Sequence, residues 1–350
     1  MKRAFEQSLP ATKKAGDFNA KVIMETMQKD LSQYIKAEAL RLGFGACGIA
    51  HADKVDAASQ KTLQEWLMQG KQAGMAYMAS HIDKRLDPRL LMEGAQSVIC
   101  VALNYYPPIA LKKEQYQFAW YAYGKDYHDI MKEKLHALLS GICQQSPGIN
   151  GKAFCDTAPL WERYWAWKAG LGWIGKNTQL IIPQAGSTFF LGEILLDTTL
   201  CYDTPLPNRC GNCSKCLEIC PTHALEIPYR LNAGRCLSYL TIEHRGEIPE
   251  DAAEQMGNCV YGCDRCQQGC PWNRFVRPTA EPKLQASEAF LRMMPEEWNT
   301  LSIERYRELF KGSAVKRAKY EGLMRNIRAL RKKPNPASLE TEGLPKTDWD

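Results

Sequence analysis

The stretch that decides the fold is CGNCSKCLEICP, residues 210–221. Its four cysteines follow the spacing C-x2-C-x2-C-x3-C and are closed by a proline. A second run, Cys263, Cys266 and Cys270, is also followed by a proline. Two more cysteines, Cys236 and Cys259, lie upstream of it. Short C-x2-C steps let one turn of backbone direct several sulfurs at one centre, and a proline turns the chain away after the last of them. The two runs therefore predict a pair of metal–sulfur centres.

The first run has the spacing with which bacterial ferredoxins bind [4Fe–4S] clusters, and in two-cluster ferredoxins the cysteine before the proline ligates the other cluster. The ligands expected for cluster 1 are Cys210, Cys213, Cys216 and Cys270. Those expected for cluster 2 are Cys220, Cys263 and Cys266. Its fourth thiolate is Cys236 or Cys259, and spacing alone does not choose, although Cys259 departs from the C-x2-C step. Structural zinc usually needs two short pairs, and disulfides need an oxidising compartment.

Length and composition describe an ordinary globular chain. Its 350 residues suggest two or three domains, and 45% hydrophobic residues are enough for a core. No apolar run approaches the ~20 residues of a membrane span. The first residues, MKRAFEQSLPATKKAGDF, lack the apolar region of a secretory signal. We therefore expect a cytoplasmic protein with no membrane partner, in which thiols stay reduced.

Positive charge is concentrated near the C-terminus. Residues 303–333 contain eleven Lys or Arg and three Glu, a net +8, so the rest of the chain carries −2 of the total +6. A basic segment on a near-neutral body suggests a polyanionic partner. The alternative is a solvated helix face, which charge alone would favour.

Apolar periodicity predicts the secondary structure upstream of the clusters. It indicates a helix over residues 21–42, a short strand at 46–50 and a central strand at 97–104 (SVICVALN). Further strands are expected within 172–182 and 186–196. Helices between these strands predict an α/β (α+β) domain up to about residue 204. It has neither the nicotinamide-binding pattern G-x-G-x-x-G nor the P-loop pattern G-x4-G-K-[ST], so the clusters must pass electrons to another acceptor, which the sequence alone does not name.

Several strings resemble the epoxyqueuosine reductase family, corrinoid iron–sulfur enzymes that complete the queuosine base in tRNA. They are YAYGKDYH (121–128), DTAPLWERYWAWKAGLGWIGKN (156–177), GSTFFLGE (186–193), CLSYLTIE (236–243), GCDRCQQGCPWN (262–273) and VKRAKYEGLMRN (315–326). Within this resemblance Cys236 matches the remaining ligand of cluster 2. The similarity covers residues from about 20 to 330.

The resemblance implies a domain organisation. It predicts a nitroreductase-like cobalamin-binding domain and a ferredoxin-like module with two [4Fe–4S] clusters, followed by C-terminal helices of HEAT type. With the composition, the expected boundaries are a disordered extension (1–19), the cobalamin domain (20–204), the cluster domain (205–280), a basic tRNA-binding segment (281–333) and a flexible tail (334–350).

The resemblance also implies the reaction. Epoxyqueuosine in a tRNA anticodon loop would be reduced to queuosine with loss of water. Electrons from a low-potential donor would pass through the clusters to cobalamin, which would attack the epoxide-bearing ring. The expected proton donor is Asp156, and burial among tryptophans could raise its pKa. From sequence alone, a helix N-cap would be its commoner role. A monomer is expected.

The resemblance also suggests residues that contact the cofactor and the tRNA. Those expected at cobalamin are Tyr123, Lys125, Lys176, Asn177, Ser238 and Asp264. Those expected at tRNA are His244, Arg245, Lys316, Arg317, Lys319, Arg325 and Arg328, through phosphate contacts and support of an unstacked base. His128 is not expected to ligate cobalt, because the family is expected to bind cobalamin without a protein histidine on the metal.

Three other functions are compatible with the cysteine runs. A cobalamin-dependent reductase of a small molecule, such as an organohalide, would not need the basic C-terminal segment. A non-catalytic electron-transfer ferredoxin would leave about 200 residues before Cys210 unexplained. An iron–sulfur RNA-binding module without chemistry would keep its function when Asp156 is replaced by alanine.

Overall fold

The computed structural model describes residues 13–331, with side chains from residue 24 onward. Its first part is formed, in chain order, by α1 (Lys13–Arg41), β1 (Ala46–His51), α2 (Ala57–Met68), α3 (Ile82–Leu86), β2 (Ser97–Asn104), β3 (Gln117–Phe118), α4 (Tyr127–Gln145), β4 (Gly151–Phe154), α5 (Glu162–Lys168), β5 (Trp173–Ile174), β6 (Leu180–Ile181) and β7 (Phe189–Leu196). Helix α1 begins inside the extension 1–19 that was expected to be disordered. Residues 1–12 and the predicted tail 334–350 lie outside the described residues.

A four-stranded antiparallel sheet of order β1-β2-β7-β4 forms the centre of this α/β body. Strand β2 has the bounds predicted from sequence and pairs with β1 on one side and β7 on the other. Helices α1 and α4 pack on one face of the sheet, and α5 packs on the other. Because both faces are covered, β2 reads as a continuous apolar run even though its neighbours are antiparallel.

Close packing of α4 on the sheet positions one end of that helix. Gly192 of β7 lies under α4, where a Cβ atom would approach Met131 Cε to 2.7 Å and Leu135 Cδ1 to 2.9 Å. The missing side chain lets the helix lie close to the strand. Asp126 caps the N-terminus of α4 by accepting a hydrogen bond from the His128 backbone N–H. The first turn of α4 thereby lies beside the end of β4.

The cluster domain follows with little regular structure. Its elements are α6 (Lys215–Glu218), β8 (Leu225–Ile227), β9 (Arg230–Leu231), α7 (Leu237–Ile242), α8 (Glu250–Gln255), β10 (Cys259–Tyr261) and α9 (Arg265–Gln268). Short helices α6 and α9 pack against each other, and each carries one cysteine of the two runs.

The C-terminal helices are α10 (Glu288–Arg292), α11 (Pro295–Asn299), α12 (Ile303–Leu309) and α13 (Lys319–Arg331). They do not pack alone. Phe290, Trp298 and Phe310 surround Phe118 of β3, and β3 pairs in parallel with β10. Residues 281–331 therefore share one core with segments of both earlier domains. None of the helices described between residues 13 and 331 is long and apolar enough to cross a membrane.

Candidate active site

The first cysteine quartet encloses a space of its own. Cys210, Cys213, Cys216 and Cys270 line a cavity of about 230 Å³. The Lys176 ammonium donates hydrogen bonds to the carbonyls of Gly211 (2.7 Å) and Cys213 (2.8 Å), which braces the ligand loop. Over the described part of the chain, no three or more His, Cys, Asp or Glu side chains are arranged to hold a single metal ion. A [4Fe–4S] cube bonds each thiolate through a different iron, so its ligands need not converge on one point.

The second quartet faces a different and much larger space. Cys220, Cys236, Cys263 and Cys266 all line a cavity of about 1820 Å³, and none of the first quartet does. Cys220, Cys236 and Cys263 are all close enough to Cys266 for their charges to raise its pKa, after burial as the main cause. Cys259 is buried behind Cys263, where its thiol donates to the Gly262 carbonyl.

The large cavity lies between the α/β body, the cluster domain and the C-terminal segment. Its volume exceeds the 300–1,000 Å³ typical of small-molecule pockets. One part of its wall is aromatic and apolar, with Trp66, Trp161, Trp167 and Phe189. The thiols of the second quartet form another part, and Asp156 lies in a third. A large, mainly apolar ligand and a second group can therefore meet the Asp156 carboxylate and four thiols here.

Asp156 lies just after β4 in a left-handed conformation, with φ of 56°. It is not a helix N-cap, since α5 begins six residues later at Glu162. Its Oδ2 accepts a hydrogen bond from the Tyr127 hydroxyl (2.6 Å) and lies 3.0 Å from His128 Nε2. The Glu162 carboxylate accepts the Asp156 backbone N–H at 2.5 Å. The side chain of Asp156 is thus held from α4 and its backbone from α5.

The expectation that burial raises the pKa of Asp156 is wrong for this arrangement. Hydrogen bonding from His128 lowers the pKa of Asp156, and this outweighs the opposing effect of burial. His128 Nδ1 also lies 2.6 Å from Asp126 Oδ1. Hydrogen bonds to Asp126 and Asp156 raise the pKa of His128 to about 9. At neutral pH the proton of this triad therefore resides on the imidazole, between two carboxylates.

Two further carboxyl groups lie behind Asp156. Burial, and then the charge of Asp156, raises the pKa of Glu162 to about 7. Glu193 on β7 is completely buried, and neither of its carboxylate oxygens has a hydrogen-bond partner in the described structure. Burial, followed by the charge of Glu162, raises the pKa of Glu193 well above its ordinary value. A neutral Glu193 follows, because an ionised, unpartnered carboxylate is costly to bury. Sequence reasoning missed it, although an acidic residue in an apolar strand was a usable signal.

Three of the six residues expected at cobalamin line the large cavity, namely Asn177, Ser238 and Asp264. Asp264 is buried and accepts the Trp120 backbone N–H at 2.7 Å. Asn177 is also buried and donates to the Cys266 carbonyl at 3.2 Å. Both side chains thus tie the cavity wall together as well as facing the cavity.

The other three do not reach that cavity. Tyr123 is buried in the core of the C-terminal helices, where its hydroxyl accepts the Leu111 backbone N–H. Lys125 donates to the Lys311 carbonyl, and Lys176 braces the loop of the first quartet. Tertiary packing draws Tyr123 and Lys125 towards the C-terminal segment, and Lys176 lines the smaller cavity, so none of the three faces the large cavity.

The residues expected at tRNA separate into two groups. Lys316 and Arg317 line the large cavity, and Lys319 and Arg328 are exposed. Arg317 pairs with Glu243 at 2.8 Å, and Arg245 donates to the Arg317 carbonyl. The His244 ring contacts the Glu247 carbonyl.

Arg325 cannot contact phosphates, because it is only 7% exposed. Its guanidinium donates to the carbonyls of Leu240, His244 and Gly246, at 2.6 to 2.9 Å. Its role is to tie α13 to the end of α7. The expectation of a tRNA contact is therefore corrected to a structural one.

Comparison with protein families identifies two segments. Residues 85–157 match the family described as "Epoxyqueuosine reductase QueG, DUF1730", and residues 209–273 match the "4Fe-4S double cluster binding domain". The chain is 42% identical to the epoxyqueuosine reductase of Cellulophaga algicola over 308 residues, which are 88% of this chain and all of that protein. It is 40% identical to the Escherichia coli epoxyqueuosine reductase, over 85% of this chain and 79% of that one.

Solved structures give the same result. A crystal structure of an epoxyqueuosine reductase with an epoxyqueuosine-modified tRNA stem loop superposes with a TM-score of 0.79 at 29% identity, covering 86% of this chain and 80% of that one. The Bacillus subtilis epoxyqueuosine reductase superposes with a TM-score of 0.78 at 28% identity, covering 86% and 81%. In that structure a catalytic aspartate loop is swung out of the active site.

Proposed function

The chain belongs to the epoxyqueuosine reductase family, and from that premise we propose how its own residues carry out the reaction. The protein is an oxidoreductase of queuosine biosynthesis that reduces epoxyqueuosine to queuosine in tRNA. Opening and deoxygenating the epoxide consumes two electrons and two protons and releases one water. The site must therefore accept electrons singly, supply protons and admit a nucleotide.

A single observation carries the proposal. The cavity of about 1820 Å³ is bordered by the second cysteine quartet, by Asp156 with His128, and by Lys316 and Arg317. An electron source, a proton source and phosphate-binding cations thus face one space. A non-catalytic electron carrier or RNA-binding module would have no use for that combination.

We assign the cluster ligands as two quartets. Cluster 1 would be held by Cys210, Cys213, Cys216 and Cys270, and cluster 2 by Cys220, Cys236, Cys263 and Cys266. The shared cavity lining supports Cys236 over Cys259. The match to a double [4Fe–4S] domain supports the number of clusters.

The large cavity also fits cobalamin. Its size exceeds that of an ordinary pocket, and its aromatic wall suits the apolar face of a corrin. Asn177, Ser238 and Asp264 would contact the polar edge on the side of cluster 2. When bound, cobalamin supplies a reduced metal centre able to attack a strained ring.

One of the two protons would be supplied by Asp156 and its neighbours. At neutral pH Asp156 is ionised and His128 is protonated, so the donor is the hydrogen-bonded pair rather than an isolated acid. His128 Nε2 would pass its proton to the carboxylate as negative charge develops on the substrate oxygen. Tyr127, donating to the same oxygen of Asp156, orients the carboxyl group for this transfer.

Transfer RNA would approach along the C-terminal segment. Lys316 and Arg317 line the cavity and Lys319 is exposed nearby, which suits phosphates on either side of an unstacked base. Arg245 and His244 support this surface through backbone contacts. Arg325 contributes only by holding α13 in place.

Other features expected from sequence stay predictions. They are the nitroreductase-like class of the body, the HEAT type of the C-terminal helices, the monomeric state and the cytoplasmic location.

The test is an anaerobic single-turnover assay on cluster-loaded protein with epoxyqueuosine-containing tRNA. Reactions with and without cobalamin are compared, and nucleoside mass spectrometry reads the loss of one oxygen. We expect conversion only with cobalamin. Asp156→Asn should slow it about 10²- to 10⁴-fold, the usual contribution of a positioned acid. Asp251→Asn, on the exposed surface of α8, is the matched control and should react like the native protein.

Two results would contradict the mechanism. Full conversion by Asp156→Asn would remove Asp156 as the proton donor. Unchanged nucleoside with both clusters and cobalamin loaded would instead favour a corrinoid reductase of a small molecule.

A further inference from the structure

The two cysteine quartets differ in what surrounds them. All four thiols of cluster 2 line the large cavity, whereas those of cluster 1 line only the small separate space. The ligand loop of cluster 1 lies at the surface, where Arg209, Gly211, Asn212, Ser214 and Lys215 are exposed. The rate of electron transfer falls steeply with the distance between donor and acceptor. Because the ligand loop of cluster 1 lies at the surface, an external donor must deliver its electrons there.

The surface around cluster 1 is positively charged. Arg209 and Arg274 line the small space and are exposed, and Lys215 lies between two of the ligands. We call these three residues the basic rim. None of them forms an ion pair in the described part of the chain. The one acidic side chain in the first ligand run, Glu218, accepts a hydrogen bond from Ser214.

The charge of the two ligand segments stands out against the rest of the chain. Residues 205–220 carry +1 and residues 270–278 carry +2, a sum of +3. Residues 303–333 carry +8 and the whole chain carries +6. Everything outside these three segments therefore carries −5. The rim is therefore a second positive region, separate in sequence from the basic C-terminal segment and built around a different cavity.

We propose that the basic rim is the docking surface for a small acidic one-electron carrier protein, which reduces cluster 1. Each encounter oxidises the carrier by one electron and reduces the cluster by one, without a proton, and two encounters supply one turnover. Charge complementarity selects the carrier and speeds its approach. Pro271 and Trp272, half-buried beside the rim, give the contact an apolar centre. The proposal rests on the proposed function, which requires an external electron source.

The test measures cluster reduction alone, so that it is independent of tRNA chemistry. Cluster-loaded protein without tRNA is mixed with a reduced, acidic plant-type [2Fe–2S] ferredoxin, a carrier of low reduction potential. Stopped-flow absorbance gives the second-order rate constant at several ionic strengths. Arg209→Glu with Arg274→Glu is compared with Lys112→Glu plus Lys113→Glu. The second pair is exposed, changes the net charge equally and lines neither cavity.

We expect the rate constant of the rim variant to be at least about tenfold lower than that of native protein at low ionic strength. The native rate constant should fall as salt is added, whereas that of the rim variant should not. The matched variant should stay within about twofold. Reduced methyl viologen, a small cation, should reduce the rim variant as fast as native protein or faster. This arm separates docking from damage to the cluster.

Three outcomes would overturn the proposal: equal losses in both variants, an equal loss with methyl viologen, or weakened tRNA binding by the rim variant with an unchanged ferredoxin rate. The last would make the rim a tRNA surface. If the double variant binds less iron, Lys215→Glu serves instead, because Lys215 does not line the small cavity. If the docking proposal fails but the protein still converts epoxyqueuosine with a chemical reductant, the proposed function stands.

Discussion

Asp126→Asn should lower the pH at which His128 loses its proton. Asp126 Oδ1 lies 2.6 Å from His128 Nδ1, and hydrogen bonding to it is the main reason that the pKa of His128 rises from 6.5 to about 9. That rise of about 2.5 units corresponds to about 3 kcal/mol at 1.36 kcal/mol per unit. Asparagine keeps the N-cap of α4 but removes the charge. The pKa of His128 should therefore fall by more than one unit.

The assay is the single-turnover rate with epoxyqueuosine tRNA from pH 6 to 10. In the native protein the rate should decline near pH 9, as His128 loses its proton. In Asp126→Asn the decline should begin below pH 8. Asp129→Asn, an exposed acid in the same helical turn, is the control and should keep the native profile.

Stability should follow the same titration. Because the folded pKa of His128 is raised, its stabilisation is complete below about pH 6.5 and is lost as pH rises through about 9. Asp126→Asn should flatten this loss in thermal unfolding profiles. An unchanged rate profile together with an unchanged stability profile would refute the assignment of the proton to His128.

Four further tests probe separate parts of the site. Cys236→Ser should lose about half of the iron and the signal of one cluster, whereas Cys259→Ser should keep both, as read by iron analysis and electron paramagnetic resonance. Glu193→Gln should raise the thermal midpoint relative to native protein more at pH 8 than at pH 5. The reason is that a carboxyl group whose pKa is raised by folding costs stability as pH rises above about 4.5. A larger gain at pH 5 would contradict a buried neutral acid. Arg325→Ala should lower the thermal midpoint, since it leaves several buried carbonyls unpaired. Lys316→Ala should instead weaken tRNA binding and reduce its salt slope by about 0.7 to 0.9 while leaving the midpoint unchanged.

Much of the fold could be predicted from sequence because its signals are local. Strand β2 has the bounds expected from one apolar run, and β7 lies where a strand was expected. The start of α1 was placed too late, since residues 13–19 lack apolar periodicity yet continue the helix. The short pairing of β3 with β10 had no local signal, because two- or three-residue strands have no readable pattern.

The candidate site was predictable only in part. The resemblance pointed to Asp156, but not to the state of its proton, which depends on His128 and Asp126. Arg325 looked like its exposed basic neighbours, and only the packing of α13 on α7 shows that it is buried. Glu193 was hidden inside a strand, and its burial becomes apparent when α5 covers the sheet.

What the sequence by itself determined is the pair of clusters, because the demands of thiolate coordination are met within a few residues of each cysteine. Only the tertiary structure decided which cysteine quartet faces the large cavity and which faces the surface. It also decided that Asp156, His128, Lys316 and Arg317 line the same space. The reason is physical: these groups come from segments that are far apart in sequence, and their distances depend on how the sheet, the cluster loops and the C-terminal helices pack together.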